Sequence, residues 1–224
     1  MSRIITIDGP SASGKSTVAR QIADRIGFVY VDSGALYRGM AWKALLDQID
    51  IGNDACLDQF AHDVMFEFFL RGRAVRFYIN GQEPDKELRT VEVDNVVSVV
   101  AATPAVRTRI VGWLRDMVRF GDLVIEGRDI GTAVFPQSAH KFYLDASPEQ
   151  RAKRRHAEMK NGDRPSIDDT MAFLEKRDNI DSSRSTDPLK IPAGATVIDS
   201  SNMRVDEVVR QILAKLPDEW YSVR

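Results

Sequence analysis

The stretch GPSASGKST, residues 9–17, constrains this chain more than any other. Gly9, four intervening residues, Gly14, Lys15 and Ser16 complete a phosphate-loop pattern. The β-branched run RIITI precedes it. KSTVARQIADRIG follows, with Val18, Ile22 and Ile26 on one helical face and Gly27 at the end. In a strand–loop–helix unit the glycines let the backbone curl, so that successive N–H groups face an anion at the positive end of the helix dipole. Lys15 then reaches the β- and γ-phosphates of a nucleoside triphosphate, and the Ser16 hydroxyl is placed to ligate Mg²⁺. Pro10, Ser11, Ala12, Ser13 and Thr17 supply the rest of the cradle.

The remaining chain predicts an open three-layer α/β fold. FVYVD, DLVIEG, HKFYLD and ATVID are short apolar runs, as strands of a buried parallel sheet should be. With the first strand they give five, alternating with helices on both faces. SGALYRGMAWKALLDQ reads as a helix starting near Ser33. RTVEVDNVVSVVAAT and PAVRTRIVGWLRDMVRFG read as two helices divided at Pro104. Between residues 53 and 90 the pattern changes. DACLDQFAHDVMFEF predicts a helix running into a strand, RAVRFYINGQEP a second strand, and Asn80–Gly81 a tight turn. This is an inserted, hairpin-bearing subdomain. SPEQRAKRRHAEMKNG is a helix ending near Gly162. SIDDTMAFLEKRDNIDSSR opens on a capping box of Ser166 with Asp169 in place of Glu. RVDEVVRQILAKL closes the chain before Pro217.

Composition narrows the partners. The 224 residues carry a net charge of −2, which argues against a general nucleic-acid binder. One cysteine, Cys56, allows no internal disulfide and fits a reducing compartment. His62, His140 and His156 have no metal-ligand spacing. No signal segment and no apolar run of about 20 residues is visible. A cytoplasmic protein with small-molecule substrates, and no nucleic-acid or membrane partner, is expected.

Several features point to phosphoryl transfer. No N-K-x-D guanine reader occurs, which argues against a GTPase switch. LVIEGRD ends a strand on Glu126 but has no second acid beside it, unlike many motor ATPases. Phosphoryl transfer is mostly positioning and charge stabilisation, so arginines should converge on the phosphates. Arg151, Arg154 and Arg155 are spaced to share one helix face ahead of a polar turn, the shape of a lid, although a solvated basic face has the same spacing. Arg177, Asp181 and Arg184 also share a face, suited to a phosphate and a sugar hydroxyl or to a surface ion-pair ladder. Arg128 and Asp129 follow a strand and so lie at the ligand-binding edge of the sheet.

IDGPSASGKST, DSGALYRG, EGRDIGTAVFP, DASPEQRAKRR and KRDNIDSSR, taken in order, resemble the bacterial cytidylate kinases, a branch of the nucleoside monophosphate kinases. The resemblance runs in register from about residue 4 to 215. It implies transfer of the γ-phosphate of ATP to CMP or dCMP with Mg²⁺. It also implies a five-stranded parallel core over about 1–50 and 105–224, monophosphate-binding helices with the insert over about 33–104, and a lid over about 148–166, all in one domain. By this resemblance Ser33, Tyr37 and Arg38 lie on the monophosphate side, with Arg38 on the acceptor phosphate. Ser98 and Arg107 contact cytosine, Arg128 holds phosphate and Asp129 reads the base. Arg177 and Asp181 contact the sugar, Arg184 a phosphate, and Arg154 and Arg155 are lid arginines. Several relatives have Gly where this chain has Ser16, and some have Asp in place of Glu126. Either acid is expected to orient metal-bound water. A monomer is expected. Rival readings are a kinase for UMP or AMP, a metabolite kinase of the shikimate or gluconate type, and a regulatory module that binds ATP without turnover.

Overall fold

The computed structural model describes residues 2–159 and 165–220. Seven strands form one sheet in the order β3-β4-β2-β5-β1-β6-β7. Five of them form the parallel core: β1 (Ile4–Asp8), β2 (Val29–Asp32), β5 (Leu123–Gly127), β6 (His140–Asp145) and β7 (Thr196–Asp199). These are the five expected from their apolar runs. The other two, β3 (Phe66–Arg71) and β4 (Ala74–Ile79), are an antiparallel hairpin.

The hairpin corrects the expected strand count. β4 lies beside β2 in parallel through Tyr30 and Ala74, and the Tyr30 N–H donates to the Arg73 carbonyl at 2.7 Å. Arg73 also donates to the Gly27 carbonyl at 2.7 Å. Without this hairpin β2 would be an edge strand with an open row of backbone groups, which proteins cover. The chain reverses at Gly72, where φ is +61°. Asn80–Gly81, with φ of +47° and +81°, turns the chain after β4 instead, and only Ile79 and Gln82 pair across it.

Eight α-helices flank the sheet among the described residues: α1 (Lys15–Ile26), α2 (Ser33–Leu46), α3 (Asp54–Asp63), α4 (Val91–Ala102), α5 (Pro104–Asp116), α6 (Pro148–Glu158), α7 (Ile167–Ser183) and α8 (Val205–Leu213). Alternation along the strands sorts the core into two layers. Ile5 and Ile7 of β1 and Val124 of β5 pack with α1 and α8. Leu123 and Ile125 of β5 face the other way, onto α2, α3, α4 and α5. Pro104 opens α5, where its missing N–H has no helical partner to lose. The Ser166–Asp169 capping box opens α7 as expected, each side chain accepting from the other's backbone N–H. Residues 160–164 of the expected lid, including the helix end near Gly162, lie outside the described residues.

The parallel strands all end at one edge, on Asp8, Asp32, Gly127, Asp145 and Asp199. Loops leaving that edge carry the candidate site, as in other open α/β sheets.

Candidate active site

Backbone geometry fixes the phosphate loop before any side chain does. Gly9 has φ of +150°, and a Cβ there would meet the Leu144 carbonyl oxygen at 2.1 Å. Gly14 caps α1 at φ +96°. Side chains from three other elements hold the loop. The Ser11 N–H donates to Asp178 of α7 at 3.0 Å, and Arg128 donates to Ser11 Oγ at 2.9 Å. Arg151 of α6 pairs with Asp178 and donates to the Ser11 carbonyl at 3.2 Å.

Lys15 is buried, and its Nζ donates to the Pro10 carbonyl at 2.6 Å. Burial, with Arg128 nearby, pulls its pKa down to about 7. Ser16 donates to Glu126 Oε1 at 2.6 Å. Burial and Asp32 push Glu126 up to about 7. Asp8, at the end of β1, is fully buried and accepts from the Ile130 and Gly131 N–H groups at 2.7 Å each. Those bonds fix the turn that carries Arg128 and Asp129. Burial pushes Asp8 up to about 6 against them.

A cavity of about 480 Å³ opens over the loop. Lys15, Ser16, Asp32 and Glu126 line one part of it, and Arg38, Arg128, Arg155 and Arg177 another. On the far side of the loop a second groove of about 530 Å³ runs between Ser13, Thr17, Leu144, Arg154, Met203 and Val208. The two cavities share the loop, so one long ligand can lie across it.

The three arginines of α6 do not act as one face. Arg151 is buried under the loop. Arg154 donates to the Ser13 carbonyl at 3.1 Å and the Ser200 carbonyl at 2.6 Å, beside the second groove. Arg155 enters the first cavity and pairs with Asp94 of α4. Arg38 also reaches Asp94, at 2.6 Å, and donates to the Leu88 carbonyl at 2.9 Å. Arg177 lies 3.6 Å from the same carboxylate. Burial, Arg128 and Arg38 lower Arg177 to about 9. Burial works to raise Asp94, but Arg38, Arg155 and Arg177 outweigh it and hold the carboxyl below its usual range.

Of the expected base and sugar residues, Arg107, Asp129 and Asp181 form a second, drier cluster, whereas Arg177 stands with the Asp94 group. Asp129 pairs through one oxygen with Arg107 and through the other with Arg184, at 3.2 Å. Arg107 reaches Asp187 at 3.1 Å, and its guanidinium lies 5.6 Å from the Tyr37 ring centre. Arg128 donates to Asp181 at 3.0 Å, and Arg184 lies 3.9 Å from Asp181. Burial pushes Asp129 up, with Arg107 and Arg184 opposing it. Ser98 is buried one turn along α4 from Asp94. The Ser33 hydroxyl donates to the Glu126 carbonyl at 2.7 Å and ties α2 to β5.

Sequence reasoning missed Asp94, Asp178, Asp187 and Asp8. Asp94 falls in the first turn of α4, where an acid is already accounted for by the helix dipole. Asp178 neighbours Arg177 and carried no signal of its own.

A family profile described as cytidylate kinase matches residues 5–218. The cytidylate kinase of Desulforamulus reducens is 40% identical over 212 residues, covering 94% of this chain and 95% of that protein. The cytidylate kinase of Pelotomaculum thermopropionicum is 41% identical over 217 residues, covering 95% of each. Among solved structures, a shikimate kinase from Bacteroides thetaiotaomicron superposes with a TM-score of 0.50 at 12% identity, over 96% of this chain and 99% of that one. That likeness shows a shared kinase fold and nothing of the acceptor. The ordered motifs, from the phosphate loop to the arginines of α7, therefore have end-to-end counterparts in one group of proteins, and the chain belongs to the cytidylate kinase family.

Proposed function

We infer that this protein transfers the γ-phosphate of ATP to CMP or dCMP, releasing ADP and the corresponding diphosphate. The observation that carries the reading is the continuous cavity that joins Lys15 and Ser16 of the phosphate loop to the arginine group on Asp94. A triphosphate chain on the loop and a monophosphate among those arginines are two anions brought to one place. The second groove, beside Arg154 and Met203, has the size and apolar wall for the base of ATP.

Little is asked of a general base, because the attacking oxygen of CMP is already anionic. The residues instead hold two repelling groups in line. Lys15 and the loop N–H groups hold the donor. Arg38, Arg155 and Arg177 hold the acceptor phosphate, and Arg128 lies between, beside Ser11. Arg184 supports Asp129. Closure of the α6 region over the cavity excludes water, which would otherwise accept the phosphoryl group.

Ser16 and Glu126 fit Mg²⁺, offering a hydroxyl and a carboxylate 2.6 Å apart beside the loop. No group of three His, Cys, Asp or Glu side chains able to hold a metal occurs among the described residues. Mg²⁺ suits such a site, since it takes one or two protein oxygens and completes its shell with phosphates and water. When bound it neutralises charge on the β- and γ-phosphates.

Asp129 explains a preference for cytosine. A carboxylate offers about four lone-pair directions, so it can accept from Arg107, Arg184 and an amino group together. Cytosine presents that amino group at N4. Uracil presents a carbonyl there, which would face the carboxylate lone pairs. Ser98 and Arg107 suit the O2 and N3 acceptors. No described helix is long and apolar enough to cross a membrane. A monomer of one domain, working in the cytoplasm on small molecules, completes the reading.

The test is ADP release with Mg²⁺-ATP against CMP, dCMP, UMP, AMP, GMP, shikimate and gluconate. Turnover with CMP and dCMP alone is expected. Preference for another nucleotide would leave a phosphate-loop kinase but overturn the base site. ATP binding with no turnover would overturn the enzyme reading.

A further inference from the structure

Among the described residues, Asp94 is the one carboxylate that meets cationic side chains from three separate elements lining the first cavity. Arg38 comes from α2, Arg155 from α6 and Arg177 from α7, while Asp94 sits on α4. All four side chains are at least 85% buried, so water screens the group weakly. Three guanidiniums against one carboxylate leave a local excess of two positive charges, the charge of a phosphate monoester dianion. Glu158, which also lines the cavity, pairs with Arg155 at 3.3 Å, but its side chain is 59% exposed and water screens its charge. A second observation points the same way. Arg177 Nε is buried and has no hydrogen-bond partner among the described residues, so one donor of the trio is waiting for an acceptor.

We propose that Asp94 is a positioning residue of the transfer reaction: it gathers Arg38, Arg155 and Arg177 into one array aimed at the acceptor phosphate and thereby ties the α6 lid to the acceptor site. Each guanidinium is a planar fork of five donors. Asp94 accepts one donor from Arg38 and one from Arg155, holds Arg177 by charge at 3.6 Å, and leaves donors of all three for the dianion. Arg155 is the link that matters for closure, since α6 also carries Arg151 and Arg154 against the phosphate loop. An acceptor bound among the trio thus completes a chain of contacts from α4 through α6 to the donor site. Asp94 touches neither reacting phosphate in this arrangement. Its negative charge opposes dianion binding, so its contribution belongs to orientation and not to affinity.

That division gives the test. CMP affinity is measured by calorimetry and turnover with Mg²⁺-ATP at steady state, for the unaltered chain, Asp94→Asn, Arg155→Gln and the double variant. In Asp94→Asn, kcat should fall roughly 10- to 100-fold, the scale of a misplaced reacting group. The Kd for CMP should stay within about threefold or tighten. In the Arg155→Gln background the same change should lower kcat by less than about threefold, because the two residues act through one contact. An unchanged kcat, a weakened Kd with kcat intact, or losses that multiply fully in the double variant would each overturn the proposal. Should Asp94→Asn not fold, Asp94→Glu carries the test. It keeps the charge but moves the carboxylate out by one methylene, so kcat should still fall with Kd kept, and a parental kcat would overturn the idea. The inference rests on the cytidylate kinase reading. No turnover of CMP by the unaltered chain overturns both, whereas CMP turnover indifferent to Asp94 overturns the inference alone.

Discussion

Replacing Asp129 with Ala should damage the fold before it changes base choice. The carboxylate is 4% exposed and is shared by Arg107 and Arg184, whose side chains are 1% and 4% exposed. A buried ion pair contributes little net stability, because desolvation offsets the attraction, and burial indeed pushes Asp129 up. Removing one partner is a different matter, since it strands charge in a dry site at a cost of about 3–5 kcal/mol. Both arginines keep another contact, Arg107 with Asp187 at 3.1 Å and Arg184 with the Asp187 carbonyl at 2.8 Å. The lower end therefore applies, about 3 kcal/mol. For a domain of this size that lowers the thermal midpoint by about 6–12 °C. The assay is thermal unfolding by circular dichroism, with urea unfolding as the check. A shift under about 2 °C would refute the claim that this cluster joins α5 and α7 to the β5 loop. Base choice is better read in Asp129→Asn, which keeps the shape. There the CMP-to-UMP ratio of kcat/KM should fall, because the amide can turn a donor toward either base.

Other outcomes follow from single contacts. Lys15→Met should lower kcat by about 10³-fold, the upper end for one lost charge-stabilising donor, with CMP affinity unchanged by calorimetry. A kcat within about tenfold of the parent would remove Lys15 from the donor site. Asp8 has its pKa raised by burial from 3.8 to about 6. Its carboxyl therefore ionises less readily folded than unfolded, so its contribution is full below about pH 4 and is lost as pH rises through about 6, at most roughly 3 kcal/mol. Urea unfolding at pH 4 and pH 7 should show the parent losing ground to Asp8→Asn between the two; a constant difference would count against the assignment. Gly9→Ala puts a Cβ 2.1 Å from the Leu144 carbonyl oxygen at φ +150° and should cost at least about 3 kcal/mol, read from the urea midpoint. An unchanged midpoint would show that the loop can move aside.

The parts of the fold legible in the sequence were those with local causes. GPSASGKST needs its glycines at Gly9 and Gly14, and both sit at positive φ. The five parallel strands are apolar on both faces and so stand out from their helices. The docking of the hairpin was hidden because it rests on one paired position, Tyr30 with Ala74, and on Arg73 reaching Gly27. The arginines were legible as a class, since their spacing marks helix faces. Their partners were not. Asp94 meets Arg38 and Arg155 across 56 and 61 residues, and Asp178 meets Ser11 across 167. A single acid on a helix carries no periodic signal, and most such acids are solvated. The α6 spacing could not divide its arginines: Arg154 and Arg155 are neighbours about 100° apart on the helix, and Arg154 lines the second groove while Arg155 lines the first cavity.

The carboxylates that partner these arginines explain how so many cations are kept in one place. Two like charges about 5 Å apart repel by about 3 kcal/mol at an effective dielectric constant near 20. Arg38, Arg155 and Arg177 left to themselves would splay, and each would have to be drawn back when the acceptor arrived. One carboxylate between them removes most of that repulsion and costs few donors. Asp181 does the same for Arg128, Asp178 for Arg151 and Asp129 for the Arg107–Arg184 pair. In each case a single negative charge stands where positive charge would otherwise be unbalanced, and in the Asp94 group it balances only one third. The site is thus neutralised enough to fold and positive enough to bind. A second acid set against the Arg38–Arg155–Arg177 trio would halve its excess of two positive charges and weaken the attraction for a dianion. On this ground Ala35→Asp, a new carboxylate on the cavity wall beside Arg38, should raise the KM for CMP far more than the KM for ATP. Equal effects on both substrates would show that the cavity does not divide donor from acceptor as its lining suggests.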